Sequence, residues 1–198
     1  MIERFLEGNR QFVAQEFNRN RDYYQSIAVG QTPEVLWIGC SDSRVSEDVI
    51  TGSRPGSIFV HRNIANIVAF NDVNFASILE YAVVHLRIPD IVVCGHTNCG
   101  GIIALDQGVR ENYIADWLLI ASGAKEKVDR IARQRPLSDR ERLDLLVREN
   151  VKLQIKHLKN MSLIRNCHQK GPLPRIHGWI YALETGKISV LVDGREPD

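Results

Sequence analysis

Several things are scarce in this 198-residue sequence, and each scarcity excludes a class of protein. Four cysteines, Cys40, Cys94, Cys99 and Cys167, are too few for a disulfide scaffold at this length and suit a reducing compartment, where thiols stay free for metal. No apolar run approaches the roughly 18 residues a membrane-spanning helix needs. The opening Met1-Ile2-Glu3-Arg4-Phe5 has neither the apolar centre of a signal peptide nor an acid-free, Arg/Ser-rich composition. These absences predict a soluble, cytoplasmic protein, with an organelle matrix after presequence removal left open, and no membrane partner. Charge is balanced at +1, so no global field draws in nucleic acid, and charged substrates must be handled locally. Internal repeats, low-complexity tracts and linkers are absent, as are a redox Cys-x-x-Cys and any Gly-Lys-Ser/Thr after the glycines of Gly95–Gly101.

What is present suits one α/β domain over residues 1–198, with a helical arm at 1–30 and an α/β core at 31–198. Hydrophobic residues make up 44% of the chain, enough for a substantial core. Ile2, Phe5, Leu6, Phe12 and Val13 recur at helical spacing, which predicts an amphipathic helix towards Phe17 that must pack on the sheet or on a partner subunit. Thr32-Pro33 marks the entry to a buried strand, Val35-Leu36-Trp37-Ile38, after which Gly39 allows a sharp turn at Cys40. Ser57-Ile58-Phe59-Val60 is a second strand. Phe75, Ile78, Leu79, Ala82, Val83 and Leu86 predict a helix over 72–86, stopped by Pro89, and Ile91-Val92-Val93-Cys94 is a third strand. Strand, helix and strand in that order predict a mainly parallel sheet, with ligands at the carboxyl ends of strands near a topological switch.

Helical alternation continues over 111–133 and ends at Pro136. Ser138 with Glu141 has the form of a capping box opening a long helix with Leu143, Val147, Val151, Ile155 and Leu158 on one face. Ile176–Leu183 and Lys187–Val192 flank Glu184-Thr185-Gly186, which predicts a hairpin and an antiparallel edge strand.

Two strand ends carry soft metal ligands: Cys40 on one, and His96 with Cys99 in an H-x-x-C pair on the other. Three protein ligands without an obvious fourth is the pattern of a catalytic zinc, one per chain, whose open position holds water. Cysteine is often only a small buried hydrophobe, and that is the reading for Cys94 and Cys167; His85, His157 and His168 read as surface or capping groups. Cys40 and Arg44, four apart, are too close for the anion loop of a cysteine phosphatase.

Cys40-Ser41-Asp42-Ser43-Arg44 with Gly95-His96-Thr97-Asn98-Cys99-Gly100-Gly101 resembles the β-class carbonic anhydrases, whose signatures are C-x-D-x-R and H-x-x-C. The likeness runs from about Gln31 to Gly101 and returns at His177–Tyr181. It implies zinc on Cys40, His96 and Cys99, a catalytic dyad of Asp42 and Arg44, and reversible hydration of carbon dioxide to bicarbonate and a proton by a zinc-hydroxide route. It further implies a homo-oligomer, a dimer at least and possibly a tetramer, with N-terminal helices embracing a partner. By the same resemblance Gln31, Phe59, Ile64 and Tyr81 fall in the substrate pocket, the aromatic ones supplied across the dimer interface. Trp37, Arg62 and Tyr181 match the second anion pocket of the bicarbonate-regulated (type II) subgroup, with which Gly39 and Val45 also agree. Plain core packing is the alternative for Trp37 and Tyr181, and a surface charge for Arg62.

Zinc held by two thiolates and a neutral imidazole carries no net charge. It would therefore acidify water less than a three-histidine zinc, which predicts activity rising on the alkaline side. A carbon disulfide or carbonyl sulfide hydrolase on the same scaffold is the nearest alternative, and a non-catalytic zinc-stabilised binding module with Asp42 as fourth ligand is another.

Overall fold

A computed structural model describes residues 2–196, which gather into two compact units, Met1–Thr32 and Pro33–Asp198. The first unit holds α1 (Glu3–Phe12), a π-helical turn (Val13–Phe17) and α2 (Arg21–Ala28). It contains a second helix, α2, that the periodicity did not reveal. Phe12, Phe17 and Tyr24 close the helix pair on itself, with ring centroids 5.5 Å and 5.0 Å from Tyr24. Ile2, Phe5, Leu6 and Val13 stay exposed as an apolar stripe, with the Arg4 guanidinium over the Phe5 ring.

The second unit is built on a five-stranded sheet: β1 (Val35–Cys40), β2 (Ile58–Asn63), β3 (Asp90–His96), β4 (Arg175–Ala182) and β5 (Lys187–Val192). Their order is β2-β1-β3-β4-β5, parallel throughout except for antiparallel β5 at the edge. The sheet is the expected mainly parallel one. Its central strands β1 and β3 are buried on both faces, which is why they read as unbroken apolar runs rather than alternating ones. From β1 the chain moves outward to β2, then returns to the other side of β1 as β3. The switch point therefore lies between the carboxyl ends of β1 and β3, where Cys40 and His96 stand.

Around the sheet run α3 (Glu47–Thr51), α4 (Val73–Glu80), α5 (Gly100–Gln107), α6 (Asn112–Leu118), α7 (Ser122–Gln134), α8 (Asp139–Asn160) and α9 (Ser162–His168). Asp72 caps α4 through the amides of Asn74 and Phe75, and the helix runs on as a π turn, Tyr81–His85. Ser138 and Glu141 form the expected capping box of α8. That helix packs on β3 and β4 and comes very close: a Cβ on Gly95 would lie 2.8 Å from Val151, and one on Gly178 would lie 2.7 Å from Ile155. Glycine at these two positions is what lets the Val147/Val151/Ile155 face of α8 seat on the sheet.

The helix expected over 111–133 is two helices. Residues Leu119–Ala121 form a 3₁₀ turn between α6 and α7, and the buried residues Leu118, Ala121 and Ala124 follow the three-residue period of that turn. Helix α5 was not assigned from the sequence either, because it opens on two glycines and its apolar residues show little amphipathic contrast. The Glu184–Gly186 hairpin forms as expected, with Gly186 at a φ of 67°.

Candidate metal centre and catalytic site

The loop after β1 carries the first cluster. Ser41 continues the ladder with its amide to Asn63 O at 2.9 Å, and the chain then turns, Val45 N–H donating to Asp42 O at 3.1 Å. Arg62, directly across on β2, holds this loop by its carbonyls: Nε donates to Cys40 O at 2.9 Å, and Nη2 to Asp42 O at 2.6 Å and Val45 O at 2.5 Å. Arg62 is thus a half-buried cradle for the loop backbone rather than a loose surface charge. Within the turn, Arg44 grips Asp42 in a fork, Nε to Oδ1 at 2.9 Å and Nη2 to Oδ2 at 2.7 Å, and the Arg44 amide adds a third bond to Oδ1 at 2.9 Å. These bonds hold the Asp42 carboxyl well below the usual carboxylate range.

At the end of β3, His96 turns into Thr97 and Asn98, and Cys99 stands immediately before α5. His96 Nδ1 lies 2.9 Å from Thr97 O, so Nδ1 carries the proton and Nε2 presents its lone pair. That Nε2 is buried without a hydrogen-bond partner, 3.8 Å from Asp42 Oδ2. Cys40 Sγ and Cys99 Sγ are 3.8 Å apart, and with a His96 nitrogen all three ligand atoms lie within 4.8 Å of one another. The backbone of Ala65 and Asp42 favours a thiolate at Cys40, and that of Gly101 and Ile102, at the start of α5, does so at Cys99.

The bond from Cys99 pulls Cys40 far below the ordinary thiol range, whereas that same contact and then burial push Cys99 up. At this separation two thiolates repel unless a cation lies between them. The pair of sulfurs and the orphaned imidazole nitrogen supply such a place, and the soft donor set suits zinc. Cys94 makes the contrast: packed with Trp37 and Val92, it is pushed up to about 12 by burial and behaves as a small hydrophobe, as expected. His157 and His168 bond the carbonyls of Val68 and Pro174, while exposed His85 stacks on Tyr81.

The remaining candidates fall in three places. Trp37, Gly39, Arg62 and Tyr181 share one face of the sheet by strand register. A Cβ on Gly39 would collide with the Trp37 indole, whose buried Nε1 lacks a hydrogen-bond partner. Trp37 is also a core residue, edge-on to Trp179 at 6.0 Å. Ile64 lines a cavity of about 430 Å³ with Ser41, Asn63, Tyr113, Ile114 and Trp117, and Trp117 Nε1 donates to Ile64 O at 2.9 Å. Phe59 and Tyr81 pair with each other, centroids 5.8 Å apart, with Tyr81 exposed. Gln31 is exposed in the first unit, after α2.

Sequence reading missed two supporting groups. Asn150 and Gln154 sit one turn apart on the apolar face of α8, both fully buried. Gln154 Nε2 donates to Asn150 Oδ1 at 2.8 Å, Asn150 Nδ2 donates to Ala65 O at 3.0 Å, and Gln154 Oε1 accepts the Val68 amide at 2.8 Å. They hold residues 65–68, where Ala65 and Asn66 adopt left-handed backbone with φ of 62° and 49° beside the Cys40 sulfur. Two amides interrupting the Val147/Val151/Ile155 stripe were the available signal. The second missed group is Glu184, on the hairpin turn, which bonds Thr97 and Asn98.

The sequence profile of the family described as Carbonic anhydrase matches residues 35–188. A carbonic anhydrase of Emericella nidulans is 35% identical over 193 residues, covering 96% of this chain and 82% of that protein. One from Pseudomonas aeruginosa is 36% identical over 195 residues, covering 94% and 86%. Among solved structures, a tetrameric β-carbonic anhydrase of Sordaria macrospora superposes with a TM-score of 0.88 at 36% identity, covering 96% of this chain and 95% of that one. The Coccomyxa β-carbonic anhydrase in complex with acetazolamide gives 0.89 at 31% identity, covering 98% and 87%. With its profile match, its relatives and its Cys-His-Cys cluster at the switch point of the sheet, the chain belongs to the β-class carbonic anhydrase family.

Proposed function

We propose that this enzyme is a zinc-dependent carbonic anhydrase that interconverts carbon dioxide and bicarbonate, with Cys40, His96 and Cys99 as metal ligands and Asp42 and Arg44 as the catalytic dyad. The observation that carries the reading is the buried, unpartnered His96 Nε2 grouped with two sulfurs beside a carboxylate that an arginine keeps ionised. Bound zinc would supply Lewis-acid activation of water for attack on carbon dioxide. The chain does the rest. Asp42, with Oδ2 turned to the His96 side, accepts a hydrogen bond from the reacting water and aims its lone pair. Arg44 donates to both Asp42 oxygens, which keeps the carboxylate charged and fixed in orientation. Ile64, with the cavity it shares with Ile114 and Trp117, gives the apolar wall that an uncharged linear substrate requires, and Gln31, Phe59 and Tyr81 complete the pocket in an assembled oligomer.

The type II reading adds a second anion site. Bicarbonate at Trp37, Arg62 and Tyr181 would take the unpartnered indole N–H as donor and compete for the Arg62 guanidinium that now holds the carbonyls of Cys40, Asp42 and Val45. Loosening that loop frees Asp42 from Arg44, so the anion inhibits. The exposed stripe of α1 and the tetrameric relative support a homo-oligomer in which the helical arm lies on a partner.

Metal analysis combined with stopped-flow hydration tests the main reading: about one zinc per chain and hydration that increases on the alkaline side are expected. Protein free of stoichiometric metal, or loaded protein without hydration activity, would refute it. For the second site, Tyr181→Phe and Trp37→Phe should weaken bicarbonate inhibition and flatten the pH profile; unchanged inhibition in both would remove the regulatory role.

A further inference from the structure

Only two residues separate His96 from Cys99, and one carboxylate bonds both of them. Thr97 Oγ1 donates to Glu184 Oε2 at 2.7 Å, and Asn98 Nδ2 donates to Oε1 at 2.9 Å. Glu184 stands on the turn between β4 and β5, and that turn is tied to the same place by backbone. The Leu183 amide donates to Thr97 Oγ1 at 3.0 Å, and the Thr97 amide donates to Tyr181 O at 3.0 Å. The hairpin and the ligand turn are therefore joined by four hydrogen bonds, two of them charge-assisted.

Asn98 is the residue that needs holding. Its φ of 52° lies in the left-handed region, which a non-glycine residue occupies at some cost. That conformation reverses the chain between the two ligands and turns the Asn98 carbonyl towards Arg44, whose Nη2 donates to it at 3.1 Å. The same Nη2 donates to Asp42 Oδ2 at 2.7 Å. A continuous path thus runs from Glu184 through the Asn98 side chain and carbonyl to the guanidinium that orients Asp42. Arg140 also approaches Glu184, 3.6 Å away and exposed, a looser contact than either bond to the turn.

We propose that Glu184 is a positioning residue: it holds the Thr97-Asn98 turn in the shape that brings His96 and Cys99 to one cation, and through the Asn98 carbonyl it sets Arg44 against Asp42. The first half rests on the Cys40, His96 and Cys99 ligand set, and the second on the carbonic anhydrase reading. Glu184 touches no reacting atom. Its contribution lies in the geometry of groups that do.

The test uses the zinc-loaded full-length protein and its E184A, E184Q and R140A variants. Three quantities are measured: zinc release to a chromogenic chelator, kcat and KM for carbon dioxide hydration, and the melting temperature. E184A should release zinc about tenfold faster and lose about tenfold in kcat with KM nearly unchanged, the usual scale for a group supporting metal ligands. E184Q retains one accepting oxygen and should fall between E184A and the unmodified protein. R140A should stay within about twofold in both rates, as an exposed ion pair is worth little. Unchanged zinc release in E184A overturns the proposal, including the case where kcat and melting temperature fall together, which marks general destabilisation. So does an R140A effect equal to that of E184A. Should the unmodified protein bind zinc without hydrating carbon dioxide, the carbonic anhydrase reading falls with the Arg44 half, while the release rates still decide the metal half.

Discussion

On one face of the sheet Leu36, Ile38, Ile91, Val93 and Ile180 lie in the main core, and the residue that ends this row on β1 is Cys40. On the other face Trp37, Val92 and Cys94 form a smaller cluster with Trp179 and Tyr181 around it. Both faces bury a cysteine, and the two thiols have opposite fates. Cys94 stays within its strand among apolar side chains, where burial raises its pKa to about 12. Cys40 stands at the strand tip, where the backbone leaves the sheet and free amides, a second sulfur and an imidazole converge on it. Burial alone makes a thiol inert; a strand end at a switch point equips it for metal binding, because unpaired N–H groups remain there to stabilise a thiolate.

The contrast breaks most visibly at the tips. His96→Ala or Cys99→Ala should abolish stoichiometric zinc and cut hydration on the order of 10³-fold or more, since water then loses its Lewis-acid activation. Metal analysis with stopped-flow kinetics checks this, and a variant with normal zinc would remove that residue from the ligand set. Asp42→Asn should keep the metal but lose roughly 10²-fold in turnover, the scale of a positioned proton acceptor. Full activity in Asp42→Asn would take the carboxylate out of the chemistry.

On the opposite face the expected effects at Gly39 and Cys94 are on stability. A methyl on Gly39 meets the Trp37 indole, so Gly39→Ala should cost about 1–3 kcal/mol of unfolding free energy, read by denaturant titration. Cys94→Ala should cost only about 1 kcal/mol, for one sulfur's worth of packing, and leave zinc content and kcat intact. Loss of zinc from that variant would erase the distinction between the two faces.

The smallest effect is in pH. Burial lowers the pKa values of His61 and His157 below their ordinary 6.5. Below about pH 6.5 the unfolded chain takes up protons that the folded one refuses, so their contribution is complete above that value and is lost as pH falls towards the folded pKa values. The melting temperature should therefore decline between about pH 7 and 5.5, and less steeply in His61→Gln than in the unmodified protein. Asp42, with its carboxyl held low by Arg44, contributes in a separate and more acid window. An unchanged slope in His61→Gln would show that this histidine is not the titrating group.

Much of this arrangement was legible residue by residue. Val35–Cys40 and Ile91–His96 are largely apolar runs because both faces of a central parallel strand are buried, and the candidate ligands Cys40 and His96 close them. The capping box of α8 and the Gly186 hairpin were readable because their signals are local, spanning only a few residues. Groups that act across long separations were not. Glu184 bonds residues 86 and 87 positions away, Asn150 reaches 85 positions back to Ala65, and Arg62 bonds carbonyls of a loop 17–22 positions earlier. Nothing near them in the chain announces these partners.

The sequence by itself determined the strand tips, the order of the elements and the chemical identity of the candidate ligands, since hydrophobic period and side-chain chemistry are properties of the chain. Only the tertiary structure decided that two sulfurs and one imidazole nitrogen lie within 4.8 Å, that His96 presents Nε2 rather than Nδ1, and that Arg62 divides its guanidinium between backbone carbonyls and Glu47. Those outcomes depend on parallel strand register and on a left-handed turn held by the neighbouring hairpin, and such distances exist only once the chain has folded.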